Sequence, residues 1–324
     1  MNFSNKTSVY IRSTLVCPRC KLKLSSRANY YVCKNEACKE KYPIINGTPI
    51  LINEENSLFE IQDFIKGNST TIENKSNSGI LKKSISKLIP KISANIKGDL
   101  NFKKFIKLIQ PNNEVKNILV IGGESTGQGM KQFNGINGIS LVETDVSMGS
   151  RTMLVCDCHD IPFSDNTFDG VVVQAVLEHV VDPYRCVEEI HRVLKSDGIV
   201  YSEAPFMQQV HMGRYDFTRF THLGHRRLFR NFLEIDSGAV CGPGMALAWS
   251  FQYFLLSFTE SKKIRTVVIL FSSVVSFFLK YFDYYLVNKK CALDSASGFY
   301  FLGEKSKKKL TDKELIRSYK GCVK

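Results

Sequence analysis

The sequence predicts an α/β protein built on a doubly wound, mostly parallel sheet of seven strands. From about residue 101, short β-branched runs alternate with helical patterns, as expected when helices connect parallel strands. Four closely spaced cysteines within residues 13–52 predict a small module at the amino terminus, and an apolar stretch over 244–290 predicts a helical hydrophobic insertion. A chain of 324 residues is long enough for a main domain and a smaller module.

Each predicted strand is a short apolar run, and a helical pattern over residues 183–194 separates the fourth strand from the fifth. In such sheets ligands bind at the carboxyl ends of the strands, so candidate site residues are sought there. The seven predicted strands are 118–121, 139–143, 153–156, 168–173, 199–203, 234–241 and 298–303.

Charge and composition divide the chain further. Residues 53–98 are predicted to be a linker with a basic amphipathic helix, 99–304 the main domain, and 305–324 a basic tail. Residues 80–108 hold eight lysines and one aspartate, and the net charge of the chain is +13. This excess favours an anionic partner such as nucleic acid, a membrane surface or a phosphorylated substrate. The alternative interpretation is a set of solvated lysine faces.

No apolar run of signal-peptide length precedes Cys17, which predicts a cytoplasmic protein. The ten cysteines are therefore expected to be reduced. In a reducing compartment, cysteine pairs at short spacing indicate metal binding rather than disulfides.

The amino-terminal cysteines have the spacing of a zinc site: Cys17 and Cys20 form C-x2-C, and Cys33 and Cys38 form C-x4-C. Four thiolates make a closed tetrahedral site with no position for water, so the zinc would be structural. The alternative is four unrelated buried cysteines. Because the run YPIINGTPIL follows, the module resembles the Trm112-like zinc ribbon, which implies stabilisation of, or docking onto, a methyltransferase domain.

A glycine-rich turn, GGESTGQG, follows the first strand of the main domain. Glycines at such a turn allow the backbone to approach a ligand closely. Asp145 ends the next strand, where an acid can accept hydrogen bonds from both ribose hydroxyls. These two features by themselves also fit a dinucleotide-dependent oxidoreductase.

Four motifs follow in order: DCHDIPF, FDGVVV, LEHVVDP and RVLKSDG. With them, residues 118–200 resemble the type 11 class I methyltransferases, which implies a Rossmann-like seven-stranded sheet and S-adenosylmethionine as cofactor. Val120 departs from the pattern, since relatives commonly carry an acid there. By position, the resemblance implies that the cofactor contacts are Gly122, Gly123 and Gly127 for the methionine, Asp145 for the ribose, Asp157 and Cys158 for the adenine, and Gln174 after the fourth strand.

The acceptor side is sought after the fifth strand, where three of the six histidines fall within residues 211–225. A titratable cluster beside a cofactor cleft is a candidate for acceptor binding and proton transfer. The alternative is that these residues pair with each other to fix a lid or a helix cap. The candidate catalytic residues are His211 and Asp216, as the base, and His179, which lines the pocket or, alternatively, hydrogen-bonds the backbone. The candidate acceptor-binding residues are Arg219, His222 and His225.

The hydrophobic insertion includes fourteen residues between Arg265 and Lys280, which is too short to span a bilayer as one helix. Either a core helix or an interfacial helix on the inner face of the membrane fits, because lysines and tyrosines flank the run. The segment from His211 through the Gly-Pro-Gly and Ala-Trp-Ser stretch, which ends at residue 250, also resembles a methyltransferase subgroup associated with bacterial surface polysaccharide synthesis. The acceptor is therefore expected to be a hydroxyl of a saccharide or lipid-linked saccharide. The alternatives are an RNA-directed methyltransferase, prompted by the positive charge, and a non-catalytic methyltransferase-like scaffold.

Overall fold

The computed structural model describes residues 3, 7–67, 89–109, 114–124 and 127–322. Two sheets account for the strands of this part of the chain. The amino-terminal module holds β1 (Leu24–Ser26), β2 (Tyr30–Cys33), β3 (Lys41–Ile45) and β4 (Thr48–Pro49). The main sheet holds β5 (Lys116–Ile121), β6 (Ile139–Asp145), β7 (Leu154–Val155), β8 (Phe168–Gln174), β9 (Leu194–Pro205), β10 (Phe232–Cys241) and β11 (Gly298–Lys305).

The main sheet has the strand order β10-β11-β9-β8-β5-β6-β7. Strands β5 to β9 pair in parallel, and β11 lies antiparallel between β9 and β10. The predicted doubly wound sheet of seven strands is confirmed. The bounds of all seven strands differ from the prediction. β7 is shorter, with only two residues, and β9 shows the largest change, since it extends over Leu194–Pro205 rather than 199–203.

Helices pack on both faces of this sheet. Phe102 and Phe105 of the helix Gly98–Ile109 join a buried cluster on one face, whereas Ile190 and Val193 of the helix Pro183–Val193 join the cluster on the other. The described helices are α1 (Val9–Ser13), α2 (Ile61–Ile65), α3 (Gly98–Ile109), α4 (Pro183–Val193), α5 (His222–Leu228), α6 (Pro243–Leu256), α7 (Lys262–Ser276), α8 (Leu279–Leu286) and α9 (Asp312–Arg317).

The cysteine module docks on the main domain along the free edge of β7. Ile50 bridges Val155 in parallel, and the Leu51 amide donates to the Val155 carbonyl at 2.8 Å. Leu15 bridges Phe163, so the module is hydrogen-bonded to the main domain at two places. Leu51 is fully buried in the same cluster as the main core, which makes the two units one packed body.

Two parts of the predicted linker, residues 53–67 and 89–98, belong to the described residues. Residues 53–67 pack against the main domain, with Phe59 and Phe64 buried in a cluster that includes Val155. The basic amphipathic helix predicted within 53–98 falls largely on residues 68–88, outside the described residues. Within the basic stretch, the described helix is α3, whose buried Phe102, Phe105 and Ile109 share one face at helical spacing.

The predicted insertion folds as three helices, α6 to α8, and the buried side of α7 is polar. The buried residues of α7 are Ser272, Ser273 and Ser276. Gln252 of α6 is also buried, and its amide donates to the Ser272 hydroxyl at 2.9 Å. The outward side is apolar; its most exposed members are Leu247, Phe254, Phe258, Ile264, Val267, Phe271, Val274, Tyr281, Phe282, Tyr284 and Tyr285.

Within the described residues, no individual helix has both the length and the apolar character needed to cross a bilayer. Helices α7 and α8, joined at a 49° bend, meet those two criteria only as a pair.

The carboxyl-terminal segment folds back onto the main domain. Arg227 pairs with Asp312 of α9, and Lys320 pairs with Glu234 of β10. A disulfide joins Cys291 to Cys322. The expectation that all ten cysteines are reduced is therefore wrong for this pair, whose thiols were too far apart in sequence to be recognised as neighbours.

Candidate active site

The glycine turn after β5 lies in a cleft lined by Gly122, Gly123, Gly127, Arg151 and Gln174. Gly122 has a φ of +75°, and a Cβ there would lie 2.5 Å from the Val176 side chain. These two constraints exclude larger residues at this position. A 3-10 turn over Met130–Phe133, rather than the α-helix expected after such a loop, follows the glycines.

Asp145 ends β6 beside this turn. Its carboxylate accepts hydrogen bonds from the Glu124 amide at 3.1 Å and the Ser147 amide at 2.9 Å. Burial raises the pKa of this carboxyl, while the two amides act in the opposite direction. The acid is thus oriented by the glycine loop itself, as a group that accepts hydrogen bonds from a ligand must be.

The glycine loop is fastened to the loop after β6 by two residues that the sequence motifs did not single out. The Glu124 carboxylate accepts from the Arg151 amide at 3.2 Å, and the Arg151 Nε donates to the Gly123 carbonyl at 3.1 Å. Arg151 also pairs with Glu143. Strand register places Glu143 directly beside Val120, so an acid is present on the neighbouring strand where the first strand lacks one.

Asp157 lies at the same edge of the sheet as Asp145, since the Cys156 amide donates to the Asp145 carbonyl at 3.1 Å. Its buried carboxylate accepts from the His159 amide at 3.0 Å and from the Ser57 hydroxyl at 2.7 Å. Ser57 belongs to the segment after the cysteine module, so this segment closes one side of the predicted adenine region.

Cys158 occupies a different environment from its neighbour Asp157. Its thiol is buried 3.0 Å from that of Cys186 on α4. The structure thus places Cys158 in the core, with its thiol packed against a helix, and we leave it out of the proposed cofactor site.

Gln174 ends β8 and reaches across the cleft. Its amide nitrogen donates to the Gln128 carbonyl at 3.1 Å and to the Glu203 carboxylate at 2.9 Å. Glu203, a residue that the motif search missed, is buried at the end of β9 and also accepts from Asn95 at 2.8 Å. Burial raises the pKa of its carboxyl. The two ends of β8 and β9 thus place a carboxylate beside the glycine loop.

A second polar cluster lies just beyond β8. Ala175 has a φ of +53°, an uncommon conformation for a residue with a side chain, and it turns the chain toward the cleft. Glu178 and His179 follow, and the His179 Nε2 lies 3.1 Å from the His211 Nε2. Glu178 is fully buried, and this burial raises its pKa to about 8. Two of the predicted catalytic histidines therefore meet, together with an acid that was not predicted.

Asp216 and Arg219 pair with each other rather than facing the cleft. Arg219 binds both oxygens of Asp216, and its other donors reach the backbone carbonyls of Gln208, Gln209 and Thr218. Burial opposes ionisation of Asp216, but the Arg219 hydrogen bonds hold its pKa below the usual value. This pairing does not support Asp216 as a base or Arg219 as an anion clamp, and it agrees with the part of the alternative in which these residues pair with each other.

His222 and His225, on α5, are also placed away from the cleft. Both are buried: the His222 Nε2 contacts the Ser237 hydroxyl at 3.0 Å, and the His225 Nε2 contacts the Ser202 hydroxyl at 3.0 Å. Burial lowers their pKa values, to about 4 for His222 and about 3 for His225. They pack as neutral core side chains, so we do not include them in the acceptor site.

The four amino-terminal cysteines converge as their spacing predicts. All four sulfur atoms lie within 4.8 Å of one another, with 3.8 Å between Cys17 and Cys38 and 3.3 Å between Cys20 and Cys33. A tetrahedral zinc with bonds of about 2.3 Å requires sulfur separations of about 3.8 Å. The donor set and its dimensions therefore fit one zinc ion held by the module.

The strand order, with the glycine loop and Asp145 at one edge of the sheet, is that of the class I methyltransferase fold. Residues 126–202 match a protein-family model described as a methyltransferase domain. Residues 126–202 thus fall in a methyltransferase domain of the class I fold, and a cysteine module compatible with a zinc ribbon precedes it.

Curated relatives share only part of this domain. A ubiquinone/menaquinone biosynthesis C-methyltransferase UbiE of Citrifermentans bemidjiense is 42% identical over 50 residues, which is 15% of this chain and 21% of that protein. Cycloartenol-C-24-methyltransferase 1 of Oryza sativa subsp. japonica is 38% identical over 65 residues, or 20% of this chain and 17% of that protein. The chain thus spans about a fifth of the length of these relatives.

Solved structures with a similar fold include methyltransferases. Haemonchus contortus phosphoethanolamine N-methyltransferase 2 in complex with S-adenosyl-L-methionine is 15% identical, with a TM-score of 0.43 over 78% of this chain and 61% of that chain. The complex between the Haloferax volcanii Trm112 methyltransferase activator and its candidate methyltransferase is 17% identical, with a TM-score of 0.40 over 64% of this chain and 95% of that chain.

Proposed function

We propose that the protein transfers a methyl group from S-adenosylmethionine to a hydroxyl of a saccharide or lipid-linked saccharide at the inner face of the membrane. The observation that carries the methyl-transfer part is the glycine loop that hydrogen-bonds Asp145 at the carboxyl edge of a class I methyltransferase sheet. Gly122, Gly123, Gly127 and Gln174 would border the methionine end of the cofactor, and Asp145 would accept from its ribose. When bound, the cofactor supplies an electrophilic methyl group on a sulfonium.

The cysteine module supports this site from outside the sheet. We propose that Cys17, Cys20, Cys33 and Cys38 hold a structural zinc, because four converging sulfurs leave no open coordination position for chemistry. The segment that follows the module reaches Asp157 through Ser57. The zinc would therefore stabilise a wall of the cofactor region without taking part in methyl transfer.

The exposed apolar side of the insertion supports the proposal of an acceptor at a membrane surface. Val267 is 65% exposed and Phe258 is 75% exposed, so the outward side presents aliphatic and aromatic groups to whatever lies beside it. Lys289 stacks on Tyr285 at 4.2 Å, a combination suited to the headgroup region of an anionic bilayer. Peripheral attachment would place a cytoplasmic enzyme against lipid-linked acceptors.

The insertion also contacts the loop that carries His211. The Tyr253 hydroxyl of α6 donates to the Val210 carbonyl at 2.9 Å, and Gln209 donates to the Ser250 hydroxyl at 3.2 Å. An acceptor held at the membrane by its lipid would thus approach the cleft next to His179 and His211. This contact is our reason for preferring a lipid-linked acceptor.

Calorimetry with S-adenosylmethionine tests the cofactor assignment. We expect the wild type to bind and Asp145→Ala to lose at least about tenfold in affinity, because a charge-assisted hydrogen bond is worth about 1.5–3 kcal/mol. Asp165→Ala is the matched control, since that aspartate has a 67% exposed side chain. Wild-type protein that fails to bind would support the alternative of a non-catalytic scaffold, and equal binding by both variants would contradict the assignment of Asp145 to the cofactor site.

The acceptor is tested with methyl-labelled cofactor and fractionated cell extract. We expect label in a lipid-linked or free saccharide. Label in RNA would instead support the second candidate function, an RNA-directed methyltransferase. This candidate is favoured by a groove lined by Lys97 and by Lys103, Lys104 and Lys107 of α3.

Membrane attachment is tested by flotation with vesicles that contain anionic lipid. We expect the wild type and Val9→Asp to float and Val267→Asp to remain in the lower fractions. Val9 is 74% exposed and lies on α1, outside the insertion, so it controls for the charge change itself. Flotation of Val267→Asp equal to that of the wild type would contradict the attachment.

A further inference from the structure

The cluster of Glu178, His179 and His211 holds three metal-ligating groups whose ligand atoms all lie within 4.8 Å of one another. The two Nε2 atoms are 3.1 Å apart, and the nearer Glu178 oxygen is 3.6 Å from that of His179 and 3.8 Å from that of His211. Ligands bound at about 2.1 Å to one ion are separated by about 3.0–3.4 Å in octahedral or tetrahedral geometry. The observed separations are close to these values.

The hydrogen bonds of the two rings determine which nitrogen atoms face each other. The His179 Nδ1 lies 2.8 Å from the Tyr215 carbonyl oxygen, which only accepts, so the proton is on Nδ1. The His211 Nδ1 likewise faces two acceptors, the Gln209 carbonyl and the Asp216 carboxylate, each at 3.4 Å. In the neutral rings both Nε2 atoms therefore carry lone pairs that point at each other, an arrangement that requires a cation or a shared proton between them.

Glu178 adds a third electron pair to the same space. Its side chain is fully buried, yet neither carboxylate oxygen has a hydrogen-bond partner among the described residues. Leaving such a group unpaired costs about 1–3 kcal/mol or more, so buried acids are normally hydrogen-bonded or bound to a cation. The unpaired carboxylate and the two lone pairs point to one common ligand.

The second ring nitrogen of each histidine has an acceptor, as in metal sites with histidine ligands. Metal-binding histidines usually donate their second N–H to a carbonyl or a carboxylate, and here the acceptors are Tyr215 and Asp216. Asp216 is fixed in turn by Arg219. Asp216 and Arg219, which we did not include in the acceptor site because they pair with each other, are thus positioning residues for His211.

We propose that Glu178, His179 and His211 bind one divalent transition-metal ion, of the zinc, cobalt or iron type that imidazole and carboxylate ligands suit. Three protein ligands leave positions open, and the His211 side chain, 25% exposed, lies on the solvent side of the cluster. Val176, two residues before Glu178, packs against Gly122 of the glycine loop. The ion would therefore lie between the cofactor cleft and the loop that carries His211.

If the proposed methyl transfer is correct, on which this role rests, the ion coordinates the acceptor hydroxyl and lowers its pKa. The hydroxyl proton passes to water. The oxygen then forms a bond to the methyl carbon as the carbon–sulfur bond breaks, which leaves a methyl ether and a neutral thioether. No oxidant or reductant takes part.

Metal binding is tested without cofactor or acceptor, with Co²⁺ as the probe and the cysteine module first loaded with zinc. We expect calorimetry to show one Co²⁺ bound per wild-type chain. Visible absorption should lack the charge-transfer bands of thiolate ligation, which would appear if cobalt replaced the zinc. His211→Ala and the near-isosteric Glu178→Gln should each weaken binding at least about tenfold.

His191→Ala is the matched control, because its Nε2 contacts the Ser306 carbonyl and it lies outside the cluster. Its Co²⁺ affinity should equal that of the wild type, and thermal melts should show that all three variants are folded. No Co²⁺ uptake by the wild type beyond the zinc module would overturn the proposal, and so would equal uptake by His211→Ala and Glu178→Gln. Asp145→Ala should retain full Co²⁺ binding, which separates failure of this site from failure of the cofactor site.

Discussion

The cysteine module and the helical insertion differ in where they place their apolar side chains. Each is too small or too narrow to bury its own apolar residues. The module places Leu15 and Leu51 in the core of the main domain and leaves polar groups outside. The insertion turns Ser272, Ser273 and Ser276 inward and leaves Val267 and Phe271 in the open. The apolar side of the module thus packs within the chain, and the exposed apolar side of the insertion is the reason for our proposal that it contacts a membrane.

Loss of one of the proposed zinc ligands should have the largest effect in this comparison. We expect Cys20→Ser to abolish zinc binding and to unfold the module, because zinc supplies about 10–16 kcal/mol to domains of this kind. The melting temperature should fall by more than about 10 °C, and a chelator should reproduce the change in the wild type. Cys241→Ser is the control, since this cysteine lies outside the cluster. Unchanged zinc content in Cys20→Ser would contradict the assignment.

A matched pair of leucines compares the two regions directly. Leu51 is fully buried between the module and the main domain, whereas Leu270 of α7 is 45% exposed. We expect Leu51→Ala to lower the free energy of unfolding by about 2–5 kcal/mol. Leu270→Ala should change it by less than about 0.5 kcal/mol. Urea denaturation measures both values, and equal losses would show that the insertion buries its apolar side within the chain.

The smallest expected difference is in how the contributions of two buried acids, Asp160 and Asp283, to stability depend on pH. Burial opposes ionisation of Asp160, but hydrogen bonds from Asn56, Arg185 and Asn53 hold its pKa below the usual value. Its stabilising contribution is therefore present near neutral pH and is lost as the pH falls through the lowered pKa. Burial raises the pKa of Asp283 in the insertion, so its contribution is present in acid and is lost as the pH rises through the raised pKa.

The melting temperatures of Asp160→Asn and Asp283→Asn between pH 7.5 and pH 3 test this contrast. The advantage of the wild type over Asp160→Asn should shrink on acidification, whereas its stability relative to Asp283→Asn should increase. Each unit of pKa shift corresponds to about 1.4 kcal/mol. Parallel curves for the two variants would show that the two acids have similar environments.

Much of the cofactor side could be predicted from the sequence, because it depends on short-range features. Gly122 and Asp145 were found from a turn and a strand end, and the structure brings them to one edge. Glu124 and Arg151 were missed because their partners lie about 27 residues away. The departure at Val120 was the available signal, since an acid missing from one strand directs attention to its neighbours.

The acceptor side was predicted less well for the same reason. Residues 211–225 were treated as one cluster because they are close in sequence. The helix α5 turns His222 and His225 into the core, while His211 lies with Glu178 and His179, more than thirty residues earlier. Proximity along a chain does not determine which face of a helix is buried, and a motif does not record the pairing of a loop with a distant strand end.

The sequence by itself determined the seven strands, the glycine bend and the convergence of the cysteines. Periodicity and spacing act over a few residues, and local geometry allows few alternatives. Only the tertiary structure decided that the cysteine module docks on the main sheet of the same chain and that the serines of α7 face inward. It also decided that the unpaired Glu178 carboxylate lies beside His179 and His211. These outcomes depend on which surfaces exclude water together, and that is a property of the whole packed chain.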